Sequence, residues 1–187
     1  LPRLLASVLV GAALSTAGLT YQDIFSNRMA SPDILGVSAG AGVGASIAIY
    51  LGLPFLLTGL SAFSCGILAV TLTVSAARLF GKKDSTSASL ILAGIVIGGL
   101  MNSILGLFKY FSNDSQLSSI TFWLLGGFYN TTFRQLAVAA PVILAGIAIL
   151  FLLRWKLVML RSGDSDAYTH GINAGRLRKA AVALTTV

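Results

Sequence analysis

Charge is scarce in this chain of 187 residues: 10% are Asp, Glu, Lys or Arg, against 56% hydrophobic, with a mean hydropathy of +0.87. Soluble domains carry about 25% charged residues. The shortage excludes an ordinary soluble domain and points to an integral membrane protein. Cysteine is also nearly missing. Cys65 stands alone in the sequence, which excludes an intrachain disulfide and a cysteine-based metal cluster. It falls in an apolar span, where a small buried residue is the plain reading. The single histidine, His170, sits in a polar loop. No Ser/His/Asp or Cys/His set can be assembled, so no catalytic residue, metal ligand or cofactor is expected. A P-loop is missing too. Gly81-Lys82-Lys83 comes nearest, but Ala76 stands where the first glycine belongs and Lys83 where a Ser or Thr should follow. Any ATP hydrolysis then belongs to another chain. The acids are Asp23, Asp33, Asp84, Asp114, Asp164 and Asp166, all outside the apolar spans. Proton-driven carriers place an ionisable group inside the bilayer, so this placement argues against one.

What is present is a series of apolar stretches separated by short basic clusters. Residues 4–22, 34–51, 55–77, 87–108 and 135–153 form five expected membrane spans. The chain is read as all-α, a polytopic helical bundle. Residues 109–134 mix polar and aromatic groups and suit an interfacial helix and loop better than a crossing. Five crossings put Arg28, Arg78, Lys82, Lys83, Arg154, Lys156, Arg161, Arg176, Arg178 and Lys179 on one side and only Arg3, Lys109 and Arg134 on the other. The positive-inside rule makes the first side cytoplasmic. It also accounts for the net charge of +7 without nucleic acid, since no basic run is interleaved with aromatics.

The organising stretch runs from Ser31 to Gly44. Pro32 and Asp33 signal a turn and a helix start. Gly36, Gly40 and Gly44 then repeat every four residues, as Gly94 and Gly98 do further on. Such rows let another backbone approach closely in lipid. A dinucleotide loop is excluded, because Gly40, Gly42 and Gly44 are spaced GxGxG and no strand precedes them. Near the other end, residues 161–179 form a polar segment. Asp164 is a good cap for a short helix over 165–170, Gly171 a natural stop, and a second helix is expected to begin near Asn173. Two short helices would make a rigid knob for a partner. No signal peptide is read at Leu1, and the final Ala-Val-Ala-Leu-Thr-Thr-Val looks like a span cut short. The expectation is a piece of a longer protein.

Several stretches in order carry a resemblance. They are Leu1-Pro2-Arg3-Leu4-Leu5 with Gly11 and Gly18; Gln22, Phe25 and Asn27 leading to Ala30, Pro32 and Leu35-Gly36-Val37-Ser38-Ala39-Gly40-Ala41; Leu90 to Gly94; Phe122-Trp123-Leu124-Leu125-Gly126-Gly127; and Gly163-Asp164, Ala167, Gly171, Asn173 and Gly175-Arg176-Leu177-Arg178. Together they resemble the FecCD-type permeases of type II ABC importers for iron–siderophores, haem and vitamin B12. Arg28-Met29, where that family has Pro-Leu, and His170, where it has an apolar residue, are departures.

The resemblance implies a ten-helix permease in the cytoplasmic (inner) membrane, of which residues 1–187 hold one incomplete transmembrane domain, roughly helices two to six and the start of the seventh. It implies a transport subunit, not an enzyme, paired with a second permease subunit (identical or a paralogue), a cytoplasmic ATPase and an extracytoplasmic binding protein. Asp164, Ala167, Gly171, Asn173, Gly175 and Arg176 match the ATPase-coupling segment, and Arg3 a cation that receives the binding protein. The span 87–108 matches a pathway-lining helix, with Gly98, Asn102 and Ser103 as candidates. The alternative is a stand-alone secondary carrier or channel.

Overall fold

The computed structural model describes residues 1–27, 30–80, 86–128, 131–161, 171 and 173–186. Among them it is all-α, with no strand. The helices are α1 (Pro2–Phe25), α2 (Val37–Tyr50), α3 (Phe55–Phe80), α4 (Thr86–Phe111), α5 (Asp114–Leu125), α6 (Phe133–Arg161) and α7 (Ala174–Thr186), with a 3₁₀ turn at Pro32–Leu35. Helices α1, α3, α4 and α6 are each long and apolar enough to cross a membrane. The fifth expected span, 34–51, shrinks to the 14 residues of α2, about 21 Å at 1.5 Å per residue. The chain divides into two compact units, Leu1–Pro32 with Gly127–Val187, and Asp33–Gly126.

In the first unit α1 packs on α6 and α7 on both. Pro2 opens α1 at a position where its missing N–H is no loss. Thr132 and Gln135 open α6 as a capping box: Gln135 Oε1 accepts from Thr132 N at 2.9 Å while Gln135 N donates to Thr132 Oγ1 at 3.4 Å. In α7 the buried residues are Ala174, Leu177, Arg178, Ala181 and Val182, one stripe at helical spacing that includes a cation.

In the second unit α2 is the centre, packed against α3, α4 and α5. Val43, Ala69, Met101, Leu105 and Ile120 form the core. Gly40 and Gly44 bring α2 against α3. A methyl on Gly40 would stand 2.6 Å from the Ala69 Cβ, and one on Gly44 would overlap the Ser61 carbonyl. Ser61 uses the approach to donate to the Gly44 carbonyl at 2.7 Å. Gly36 behaves differently from the row expected of it. It sits outside the helix, at φ +75°, where a Cβ is strained. It turns toward the Gly98 Cα on α4 and not toward α3.

The turn before α2 is held by its carbonyls. Thr73 donates to the buried Leu35 carbonyl at 3.0 Å, and the Ile34 carbonyl lies over Gly94. Thr73→Val keeps the shape and removes the donor. It is expected to destabilise the protein by about 1–2 kcal/mol, read as a lowered unfolding temperature in detergent.

Helix α5 corrects the interfacial expectation for 109–134. Asn113 and Gln116 form a capping box, and Gln116 Nε2 donates to the Tyr50 carbonyl at the end of α2. Eight residues on, Leu124 lies against Gly42. The helix therefore descends along α2, antiparallel to it, instead of lying flat. At 12 residues, about 18 Å, it is too short to cross.

Candidate functional site

A cavity of about 300 Å³ lies in the second unit, lined by Asp33, Gly36, Ser38, Ala39, Gly98, Asn102, Leu105 and Leu124. Three elements build it. The turn and first residues of α2 supply Asp33, Gly36 and Ser38; α4 supplies Gly98 and Asn102; the lower end of α5 supplies Leu124. The small residues make the space: Gly36 and Gly98 meet backbone to backbone, so no side chain fills the crossing. Polarity comes from Asn102, which is exposed, and from Asp33, whose carboxylate accepts a hydrogen bond from the Ser38 hydroxyl.

Two of the three pathway candidates, Gly98 and Asn102, are thus brought together. Ser103 is not among the lining residues; its hydroxyl donates to the Gly99 carbonyl at 3.0 Å. Asp33 was read as a helix cap outside the bilayer, and the structure revises that. Thr73 lies seven residues before the end of α3 and Gly94 eight residues after the start of α4. The turn they hold therefore sits about 10–12 Å along each helix axis from its end. Helices of 26 residues are about 39 Å long and overhang a 30 Å hydrocarbon core by only a few ångströms at each end. Asp33 lies within the bilayer depth. The signal available in the sequence was Pro32 and Gly36 flanking it, which postpone the helix by three residues.

The remaining candidates lie elsewhere. Arg3 is exposed on the first turn of α1. Asp164 and Ala167 fall outside the described residues. Gly171 has φ +71°, a backbone suited to ending a helix. Asn173 caps α7, its Oδ1 accepting from Arg176 N at 3.0 Å, so a helix does begin there. Gly175 and Arg176 are exposed on its first turn. The residue missed is Arg178. It is 7% exposed and donates from Nε to the Ile24 carbonyl at 3.2 Å, at the C-terminal end of α1, where a cation is favoured by the helix dipole. Its place on the stripe 174, 177, 178, 181 and 182 was the clue.

Comparison with known proteins agrees with this architecture. The molybdate import system permease protein MolB of Haemophilus influenzae is 33% identical over 181 residues, covering 95% of this chain and 52% of that protein. The cobalamin import system permease protein BtuC of Halobacterium salinarum is 30% identical over 187 residues, 100% of this chain and 50% of that one. The vitamin B12 import system permease protein BtuC of Escherichia coli O6:H1 is 38% identical over 150 residues, 77% and 45%. The chain thus spans about half the length of the curated relatives it matches. A metal-chelate type ABC transporter solved in an inward-facing conformation superposes with a TM-score of 0.88 at 30% identity, covering 99% of this chain and 59% of that one. The FecCD transport family model matches residues 1–187; the chain belongs to that family of ABC transporter permeases, as a multi-pass protein of the cytoplasmic (inner) membrane.

Proposed function

We propose that this chain is part of a permease subunit that moves a metal chelate (an iron–siderophore, haem or cobalamin-type molecule) into the cell, driven by ATP hydrolysed in a separate cytoplasmic subunit. The observation that carries the reading is the cavity between α2, α4 and α5, with Gly98 and Asn102 on its wall. It lies between helices of the kind that form the bundle in the importer relatives. A bulky chelate suits a pathway with small and apolar walls and few tight ligands. A second permease subunit would complete the pathway, and a binding protein would dock outside near Arg3, where an exposed cation can meet a carboxylate. Residues 161–179 would meet the ATPase.

The coupling segment gives the test. The full-length protein is reconstituted with the ATPase encoded beside it, and chelate uptake and ATP hydrolysis are measured for the wild type and for Ala167→Trp combined with Gly171→Leu. The variant is expected to insert normally and to lose uptake and ATPase association together. Asn173→Ala, which removes the cap of α7, is expected to weaken that helix by about 1 kcal/mol and to lower uptake without abolishing insertion. Uptake that continues unchanged, or that needs no ATPase, would make a stand-alone carrier the better account. One observation favours that second reading: Asp33 is an ionisable group inside the bilayer depth, as such carriers require.

A further inference from the structure

We propose that Asp33 is a specificity-determining carboxylate of the translocation pathway. Set at bilayer depth with Ser38 and Asn102, it draws cationic and hydrogen-bond-donating groups of the cargo and disfavours compact oxyanions. The proposal rests on the permease reading given above and deepens it.

Three observations meet here. First, the backbone around Asp33 is irregular at a depth where lipid cannot satisfy it. Such backbone is tolerated only inside protein or beside a water-filled cavity. Here both conditions hold: Leu35 is fully buried and bonded to Thr73, while Asp33 and Gly36 border the cavity. Second, the Asp33 carboxylate accepts from the Ser38 hydroxyl, one bond for a group with about four acceptor positions. That bond turns the carboxylate toward the first residues of α2 and keeps it on the cavity wall, where Asn102 adds both a donor and an acceptor. Third, Asp33 carries the only charge among the residues lining the cavity. A single sign of charge in a concave site with low-dielectric walls is focused and not screened.

A merely structural Asp33 would hold Ser38 and nothing more, and replacing it would leave the electrostatics of the cavity unchanged. The measurement therefore reads the field directly and needs no knowledge of the cargo. In the full-length protein every cysteine, Cys65 included, is replaced, and Asn102→Cys is introduced. Membrane vesicles of either orientation are treated with positively and negatively charged methanethiosulfonates of similar size, and the ratio of their reaction rates is compared with that of a free thiol in solution. The cationic reagent is expected to be favoured by about fivefold, as one nearby charge in a wet cavity produces. Asp33→Asn is expected to bring the ratio back to that of the free thiol. Ser38→Cys serves as a second reporter should Asn102→Cys fail to insert.

A ratio that Asp33→Asn does not move would overturn the proposal. So would reporter thiols that react only after denaturation, since the cavity would then hold no water. The importer reading is judged apart, by the ATP dependence of wild-type uptake. A field set by Asp33 in a protein that needs no ATPase keeps the carboxylate and removes the importer; ATP-driven uptake with an unmoved ratio does the reverse.

Discussion

Gly94→Val is expected to destabilise the second unit by about 3 kcal/mol or more, enough to remove most folded protein from the membrane fraction. The reason is local. A Cβ on Gly94 would overlap the Ile34 carbonyl and stand 3.1 Å from the Leu35 Cα. Both are backbone atoms, and no rotamer change can move them. The turn would have to withdraw from α4, breaking the Thr73 bond to Leu35 and opening the Gly36–Gly98 crossing. Gly106 lies on the same helix with nothing within 4 Å of an added Cβ. Gly106→Ala should stay within about 0.5 kcal/mol of wild type. Membrane yield and unfolding temperature in detergent, compared between the two variants, check the prediction. Similar losses for both would mean that glycine matters here for flexibility and not for the fit of Ile34.

Arg178→Met is expected to cost about 2–4 kcal/mol, because the buried carbonyl at Ile24 loses a charged donor while the stem of the side chain is kept. The effect should reach further than stability. Arg178 ties α7, the helix that follows the proposed coupling segment, to the end of α1. Its loss should therefore lower uptake more than ATP hydrolysis. Arg178→Lys should restore only part, since an ammonium lacks the planar fork of the guanidinium. The exposed Lys179, changed to Met, should be neutral. Equal losses of hydrolysis and uptake in Arg178→Met would indicate simple unfolding.

The helices were readable because lipid imposes a simple demand on sequence: long uncharged runs, with basic clusters between them. Spans 55–77 and 87–108 fall inside α3 and α4, and the start of α7 was visible in Asn173, a residue whose side chain caps in isolation. What was not readable depended on distant partners. Gly36 shares the spacing of Gly40 and Gly44 but answers to Gly98, sixty-two positions away, and leaves the helix to do so. Asp33 looked like an edge residue because the sequence counts residues along one chain and not the depth of the neighbours that carry it. Arg178 looked like one more cytoplasmic cation because its acceptor is a backbone carbonyl, which no side-chain pattern reveals. For the same reason α5 was recognisable as a short helix, while its descent along α2 followed from contacts at Tyr50 and Gly42.

The shortness of α2 has an electrical consequence. A membrane voltage falls across whatever insulates, and a wet turn 10 Å or so above the helix ends thins the insulator locally from about 30 Å to nearer 20 Å. The voltage gradient over the remaining slab is steeper by about half. A charge arriving at Asp33 through water from the cytoplasm would still stand close to the cytoplasmic potential, so nearly all of the roughly 2.3 kcal/mol per charge at 100 mV would be encountered between that turn and the outer ends of α2 and α4.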